Sequence, residues 1–114
     1  MFIAINRLQV RPGCETELEG RFAQTGGMTR LAGFVRFQLL RRVWQARPPA
    51  DPAPVEYLAL TCWESEEHFR AWTAGPAFAA AHGGPRLDIW AGPAEPSGYI
   101  ICLERHPLGK EQGR

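Results

Sequence analysis

Three side chains sit where their neighbours alone would not put them. Phe2, Ala4, Leu8 and Val10 alternate with Ile3, Ile5, Arg7, Gln9 and Arg11, the period of a β-strand, and Asn6 falls on the apolar face. An amide is depleted from strands and costs free energy when buried without a partner. Asn6 therefore either satisfies a neighbouring backbone group or is a donor aimed into a cavity between sheet and helices. His82 closes the run AFAAAH, just before Gly83. A histidine in a last helical turn suits the negative helix end, and glycine is the expected stop. The functional alternative is an axial ligand to a metal or a haem iron, because Ala79, Ala80 and Ala81 leave room for a flat ligand; one histidine alone is no metal site. Trp72, with Phe69 three residues before it, is either core or a wall of that space.

Other chemistry has no carrier. The chain holds no G-x-G-x-x-G, P-loop, H-E-x-x-H or G-x-S-x-G pattern, and no carboxylate pair placed for acid–base work on an inner face. Cys14, Cys62 and Cys102 are odd in number and widely spaced, without C-x-x-C or a zinc pattern. They read as reduced thiols of a cytoplasmic protein. His68 and His106 read as solvated, and Trp44, Trp63 and Trp90 as structural. An enzyme of this composition must take its hard chemistry from a cofactor or from the substrate.

The elements that would position these residues follow from punctuation. Residues 2–11 form a strand ended by Pro12-Gly13, and 14–25 a helix with Leu18 and Phe22 on its inner face and Gly26-Gly27 as its stop. A second strand spans 34–44. RPPADPAP, 47–54, excludes helix and central strand and joins two antiparallel strands as a stiff loop. The third strand is 55–64. Ser65 caps the helix that follows, with Glu66 and Glu67 in its first turn. Gly75-Pro76 breaks it, and a second short helix ends at His82. A Gly- and Pro-rich loop over 85–98 leads to a last strand, 98–104. The order β-α-β-β-α-β is ferredoxin-like, an α+β fold with an antiparallel sheet and helices on one face. Ile3, Ile5, Val35, Phe37, Leu39, Leu58, Leu60 and Cys62 are expected on the other face, which needs a second copy of the chain to cover it.

Composition bounds the rest. With 114 residues the chain is one domain, taken as 1–106 with a flexible tail at 107–114. A hydrophobic share of 45% against 22% charged is that of a globular protein rather than a disordered one. A net charge of +1 gives no field to attract nucleic acid or an anionic membrane, and no apolar run approaches the roughly 20 residues of a membrane span. MFIAINRL lacks the basic start and long apolar core of a signal peptide.

Three segments together, NRLQVRPG (6–13), GFVRFQLL (33–40) and WESEEHFRAWTAGPAFAAAH (63–82), resemble the dimeric α+β barrels called antibiotic biosynthesis monooxygenases. Within them the chain is similar to the IsdG-like haem-degrading monooxygenases, over roughly residues 2–82. That subfamily is marked by an asparagine early in the first strand and by a tryptophan and a histidine ten residues apart. Asn6, Trp72 and His82 fall on those positions. Arg21-Phe22 and Phe69 also match. The barrel pattern is shared by many non-haem members; the Asn/Trp/His triple is the more specific mark.

The resemblance implies haem as both substrate and cofactor, O2 and an external electron donor from an unidentified reductase. It implies that His82 is the axial ligand of the haem iron, that Phe22, Phe69 and Phe78 line an apolar slot, and that Arg21 faces the propionates. Asn6 would donate to oxygen beside the iron, and Trp72 would bend the macrocycle, one of the levers a protein holds over haem. On a straight helix ten residues leave Trp72 and His82 about 80° apart, so the break at Gly75-Pro76 is required for them to converge. Three activities stay open: a haem-degrading monooxygenase that releases iron, a cofactor-independent monooxygenase acting on an aromatic, polyketide-like substrate, and a non-catalytic haem-binding barrel. All three are expected to be homodimers.

Overall fold

Inward and outward side chains alternate along the first strand, β1 (Phe2–Val10), burying Phe2, Leu8 and Val10 on one face. The computed structural model describes residues 1–24, 26–47, 49, 51–83 and 87–108. Gly13 turns the chain at a φ of +93°, a conformation that favours a residue without Cβ. Helix α1 (Glu15–Ala23) follows, then a single 3-10 turn (Gly27–Arg30) that buries Met28. Strands β2 (Phe34–Arg41) and β3 (Val55–Trp63) form a hairpin. Helices α2 (Glu66–Thr73) and α3 (Pro76–His82) are the two pieces of the broken helical region, and β4 (Glu95–Ile100) ends the sheet. Ser65 Oγ accepts the His68 backbone N–H at 3.3 Å, which caps α2. Pro76 opens α3, where its missing N–H costs nothing.

The strands make one antiparallel sheet in the order β2-β3-β1-β4, with the helices on one face: the ferredoxin-like α+β arrangement expected from the sequence. Several details differ from expectation.

β2 carries an extra residue. Phe34 lies opposite Trp63 and Arg36 opposite Cys62, so Val35 forms a bulge and the alternation reverses beyond it. Phe37 and Leu39, expected on the outer face, therefore point inward, and Arg36, Gln38 and Leu40 point outward. Ile3, Ile5, Leu58, Leu60 and Cys62 remain outside, on the strands that alternate without interruption.

β2 also stops at Arg41 rather than at 44, leaving Val43 and Trp44 exposed. The last strand spans Glu95–Ile100 rather than 98–104. Pro96 is accepted because β4 is an edge strand. Just beyond β4, Ile101 donates its N–H to the Met1 carbonyl at 3.2 Å. Most of the long loop is tied down as well. Arg11 donates to Ile89 O and Ala91 to Gln9 O, both at 2.8 Å, so 89–91 extend along the β1 edge.

His68 is not solvated. Its ring packs over Gly33, where an added Cβ would lie 2.1 Å from His68 Cγ, and its Nδ1 is 2.7 Å from Ser65 Oγ. His106 is exposed and pairs with Glu104. The expected tail from 107 onward lies mostly outside the described residues; Pro107 and Leu108 are exposed.

The outer sheet face combines the apolar residues above with one charged cluster. Glu56, only 7% exposed, accepts from Arg7 Nε at 2.9 Å and Arg42 Nη2 at 2.5 Å. Arg7 also donates to Glu95 at 2.6 Å. Hydrogen bonds to Glu95 and Glu56 hold the Arg7 guanidinium above its usual pKa.

Candidate functional site

The helix-facing core is split in two. At one end Leu8, Val10, Leu18, Tyr57 and Ile89 are packed together; at the other, Phe2, Met28, Trp63 and Trp72. Between them the inner sheet face carries short side chains: Ala4, Asn6, Ala59 and Thr61, with Asn6 directly opposite Ala59 and Ala4 opposite Thr61. Short residues where neighbouring positions hold rings leave space, and a cavity of about 1150 Å³ opens there between sheet and helices.

All seven residues singled out in the sequence line this cavity: Asn6 from β1, Arg21 and Phe22 from α1, Phe69 and Trp72 from α2, Phe78 and His82 from α3. The Gly75-Pro76 break brings the two halves of the helical region onto the same space. Trp72 is 9% exposed and meets Phe78 edge to face at 5.0 Å and 82°, while Phe69 lies 6.1 Å away. Phe22 stacks on Phe37 at 5.7 Å. Arg21 ends α1 and sits half-buried at the wall.

Two polar groups give the cavity its chemistry. The Asn6 side-chain oxygen is buried and has no hydrogen-bond partner among the described residues. An orphaned buried amide oxygen costs on the order of 1–3 kcal/mol, so the position is kept for something other than stability. His82 is fixed by its own helix. Its ring stacks on Phe78 at 4.0 Å and 26°, and its Nδ1 lies 2.8 Å from the Phe78 carbonyl oxygen. A carbonyl only accepts, so Nδ1 carries the hydrogen, which leaves Nε2 as the nitrogen available for ligation. A ligating histidine is normally held in this way, with its other ring nitrogen donating to a carbonyl or carboxylate. Among the described residues no cluster of three or more His, Cys, Asp or Glu could hold a metal ion, so His82 is not part of a multi-residue metal cluster. One histidine suits an iron whose equatorial positions are already filled by a macrocycle.

Sequence reasoning missed several lining residues: Ala4, Ala59 and Thr61 on the floor, Phe2, Met28 and Phe37 beside them, and Leu87 and Trp90 on the far wall. The floor had a signal, small side chains on inner strand positions flanked by large ones. Phe37 was hidden by the bulge, and Trp90 by the Gly- and Pro-rich composition around it.

Tyr57 pins α1 over this space. Its hydroxyl donates to Glu19 at 2.5 Å, and Arg41 lies 3.7 Å from the same carboxylate. Burial first, and then the bond to Glu19, push the phenol up to about 12.

The model of the antibiotic biosynthesis monooxygenase family matches residues 1–84. The chain belongs to this family. Among its relatives is a mycobilin-producing haem oxygenase of Mycobacterium tuberculosis, 37% identical over 109 residues that cover 95% of each chain. A staphylobilin-producing haem oxygenase of Staphylococcus haemolyticus is 33% identical over 82 residues, 72% of this chain and 73% of that one. The fold agrees with the M. tuberculosis haem degrader MhuD, solved with two haems bound in its active site: the TM-score is 0.68 at 34% identity, covering 93% of this chain and 100% of that one. These likenesses place the chain in the IsdG-like branch of the family. No helix among the described residues is long and apolar enough to cross a membrane.

Proposed function

We propose that this family member is a haem-degrading monooxygenase: it binds haem in the inner cavity and cleaves the tetrapyrrole with O2 and electrons from an external donor, releasing iron. The observation that carries the reading is that His82, its Nδ1 held by the Phe78 carbonyl, and Asn6, whose buried amide oxygen has no partner among the described residues, line one large apolar cavity. The haem-degrading relatives support it over almost the whole chain.

In this reading His82 binds the iron through neutral Nε2, kept in that tautomer by the Phe78 carbonyl. Phe22, Phe69 and Phe78 exclude water from the faces of the ring. Arg21, at the α1 end of the cavity, balances the propionate charge. Asn6 would offer its amide N–H to dioxygen, and Trp72 would press on the bound tetrapyrrole and so promote its cleavage; haem, when bound, would supply the iron that activates oxygen. The unidentified donor supplies the electrons.

The working unit is a homodimer in the cytoplasm. The outer face of Ile3, Ile5, Leu58 and Leu60 is only partly buried by the described residues, and Tyr99, Ile100 and Leu103 are exposed. Three free cysteines fit a reducing compartment.

The test is titration with hemin followed by absorbance, then ascorbate in air with catalase present. A histidine-ligated Soret band that bleaches supports the reading. Haem that binds and stays intact for hours leaves a haem-binding barrel, and no binding favours the cofactor-independent oxygenase.

A further inference from the structure

Trp63 lies behind the cavity and does not line it. It is completely buried, and its indole N–H has no acceptor among the described residues. A phenylalanine would be as apolar and would leave no orphaned donor. The larger ring must therefore be kept for its size and shape. Trp63 stacks on Trp72, with centroids 5.3 Å apart and planes at 28°, and Phe34 braces it from behind edge-on at 5.5 Å and 79°. The series continues without a gap: Trp72 meets Phe78 at 5.0 Å, and Phe78 stacks on His82 at 4.0 Å.

The two ends of this series differ in rigidity. Trp63 sits in β3, bonded on both sides to β1 and β2. Trp72, Phe78 and His82 sit on two short helices separated by the break at Gly75. A broken helical region does not fix ring planes by itself. A rigid aromatic plate anchored in the sheet does, since close packing leaves a neighbouring ring few orientations.

We propose that Trp63 is a positioning residue for haem cleavage: it holds the Trp72 ring at the tilt that bends the macrocycle, and through Phe78 it steadies the plane of His82. Trp63 touches no haem. The inference rests on the proposed function above.

The experiment compares wild type with Trp63→Phe, full-length, free and loaded with hemin. Circular dichroism of the free proteins in the far ultraviolet reads the stacked indole pair as an exciton band, and melting curves read the fold. Proton NMR of the cyanide-bound ferric haem reads out-of-plane distortion, and Soret bleaching with ascorbate reads turnover. Trp63→Phe is expected to melt near wild type, to lose the exciton band and to keep its hemin affinity. Its haem should be flatter and its turnover lower by up to about a hundredfold, the scale of a small misplacement by a remote residue. A residue that only filled the core would move the melting temperature and leave the distortion signature alone. If Trp63→Phe does not fold, Trp63→Met, which fills irregular gaps, takes its place. A variant that folds, binds hemin and matches wild type in distortion and turnover overturns the inference. If wild type itself neither binds nor bleaches hemin, the haem reading falls and this role falls with it. A wild type that turns over beside an equally active variant sinks the role of Trp63 alone.

Discussion

Phe78 holds His82 twice: the two rings stack at 4.0 Å, and the Phe78 carbonyl oxygen lies 2.8 Å from His82 Nδ1. One residue, a helical turn away, thus sets both the plane of the imidazole and the nitrogen left open. His82→Ala should remove histidine ligation from the hemin spectrum, while His68→Ala and His106→Ala should not. His68 is committed to Ser65 and Gly33, and His106 to Glu104. Absorbance of the three ferric complexes decides it; a wild-type Soret band in His82→Ala would show that the ligand lies elsewhere.

Asn6→Ala should bind hemin as wild type does and lose turnover by on the order of 10²-fold, the usual cost of removing one preorganised donor. Its free form should melt within a few degrees of wild type, because the amide oxygen it removes has no partner to lose. Equal bleaching rates in the two proteins would remove Asn6 from the chemistry.

Trp72 is both wall and core. Trp72→Ala should cost about 3–5 kcal/mol of stability, as expected for truncating a buried aromatic, and abolish turnover. Trp72→Phe retains a ring against Trp63 and Phe78 and should keep more of both. Denaturant unfolding and Soret bleaching on the same samples separate the two effects.

The two sheet faces should respond differently to charge. Leu58→Arg falls on the outer face and should dissociate the dimer, since a buried large apolar side chain is worth about 1.5–3 kcal/mol. Phe37→Arg falls on the cavity face, stacked on Phe22, and should impair hemin binding without dissociating the pair. Sedimentation velocity and hemin titration of both variants test the assignment. A wild-type chain that sediments as a monomer at micromolar concentration would refute the dimer.

Tyr57 gives a pH dependence of known sign. Its phenol rises from the ordinary 10 to about 12 in the folded chain, so the folded state holds the proton more tightly than the unfolded one. The stabilisation is complete below pH 10 and is lost as pH rises from about 10 to about 12. Tyr57→Phe should flatten that part of the stability curve. Urea midpoints at several alkaline pH values give the comparison.

The order of elements, the broken helical region and seven of the cavity-lining residues were legible because they depend on local patterns: alternation in β1 and β3, a serine cap, a Gly-Pro break, and an amide on an apolar stripe. What was not legible depends on a partner segment. The outer placement of Phe37 and Leu39 assumed plain alternation, and only the pairing of Phe34 and Arg36 with adjacent β3 residues shows the bulge. The Gly and Pro content of 85–98 assigned that stretch to a loop and began the last strand at 98, so the start of β4 at Glu95 was missed. At an edge the missing N–H costs nothing, and Gly98 is where the Phe2 ring would meet a Cβ at 2.6 Å.

Val35 makes the reading frame of β2 depend on one residue. Phe34 already lies opposite Trp63 and Arg36 opposite Cys62, so a chain without Val35 would pair 34, 36 and 37 as consecutive residues and keep every face: Phe37 and Leu39 toward the cavity, Arg36 and Gln38 outside. A homologue shorter by this one residue therefore carries the same chamber. The faces exchange only when the extra residue is kept and the bulge is not, because plain alternation from Phe34 would then turn Phe37 and Leu39 outward. Alignments that place the gap beyond 36 instead of at Val35 match the inside of one protein with the outside of the other.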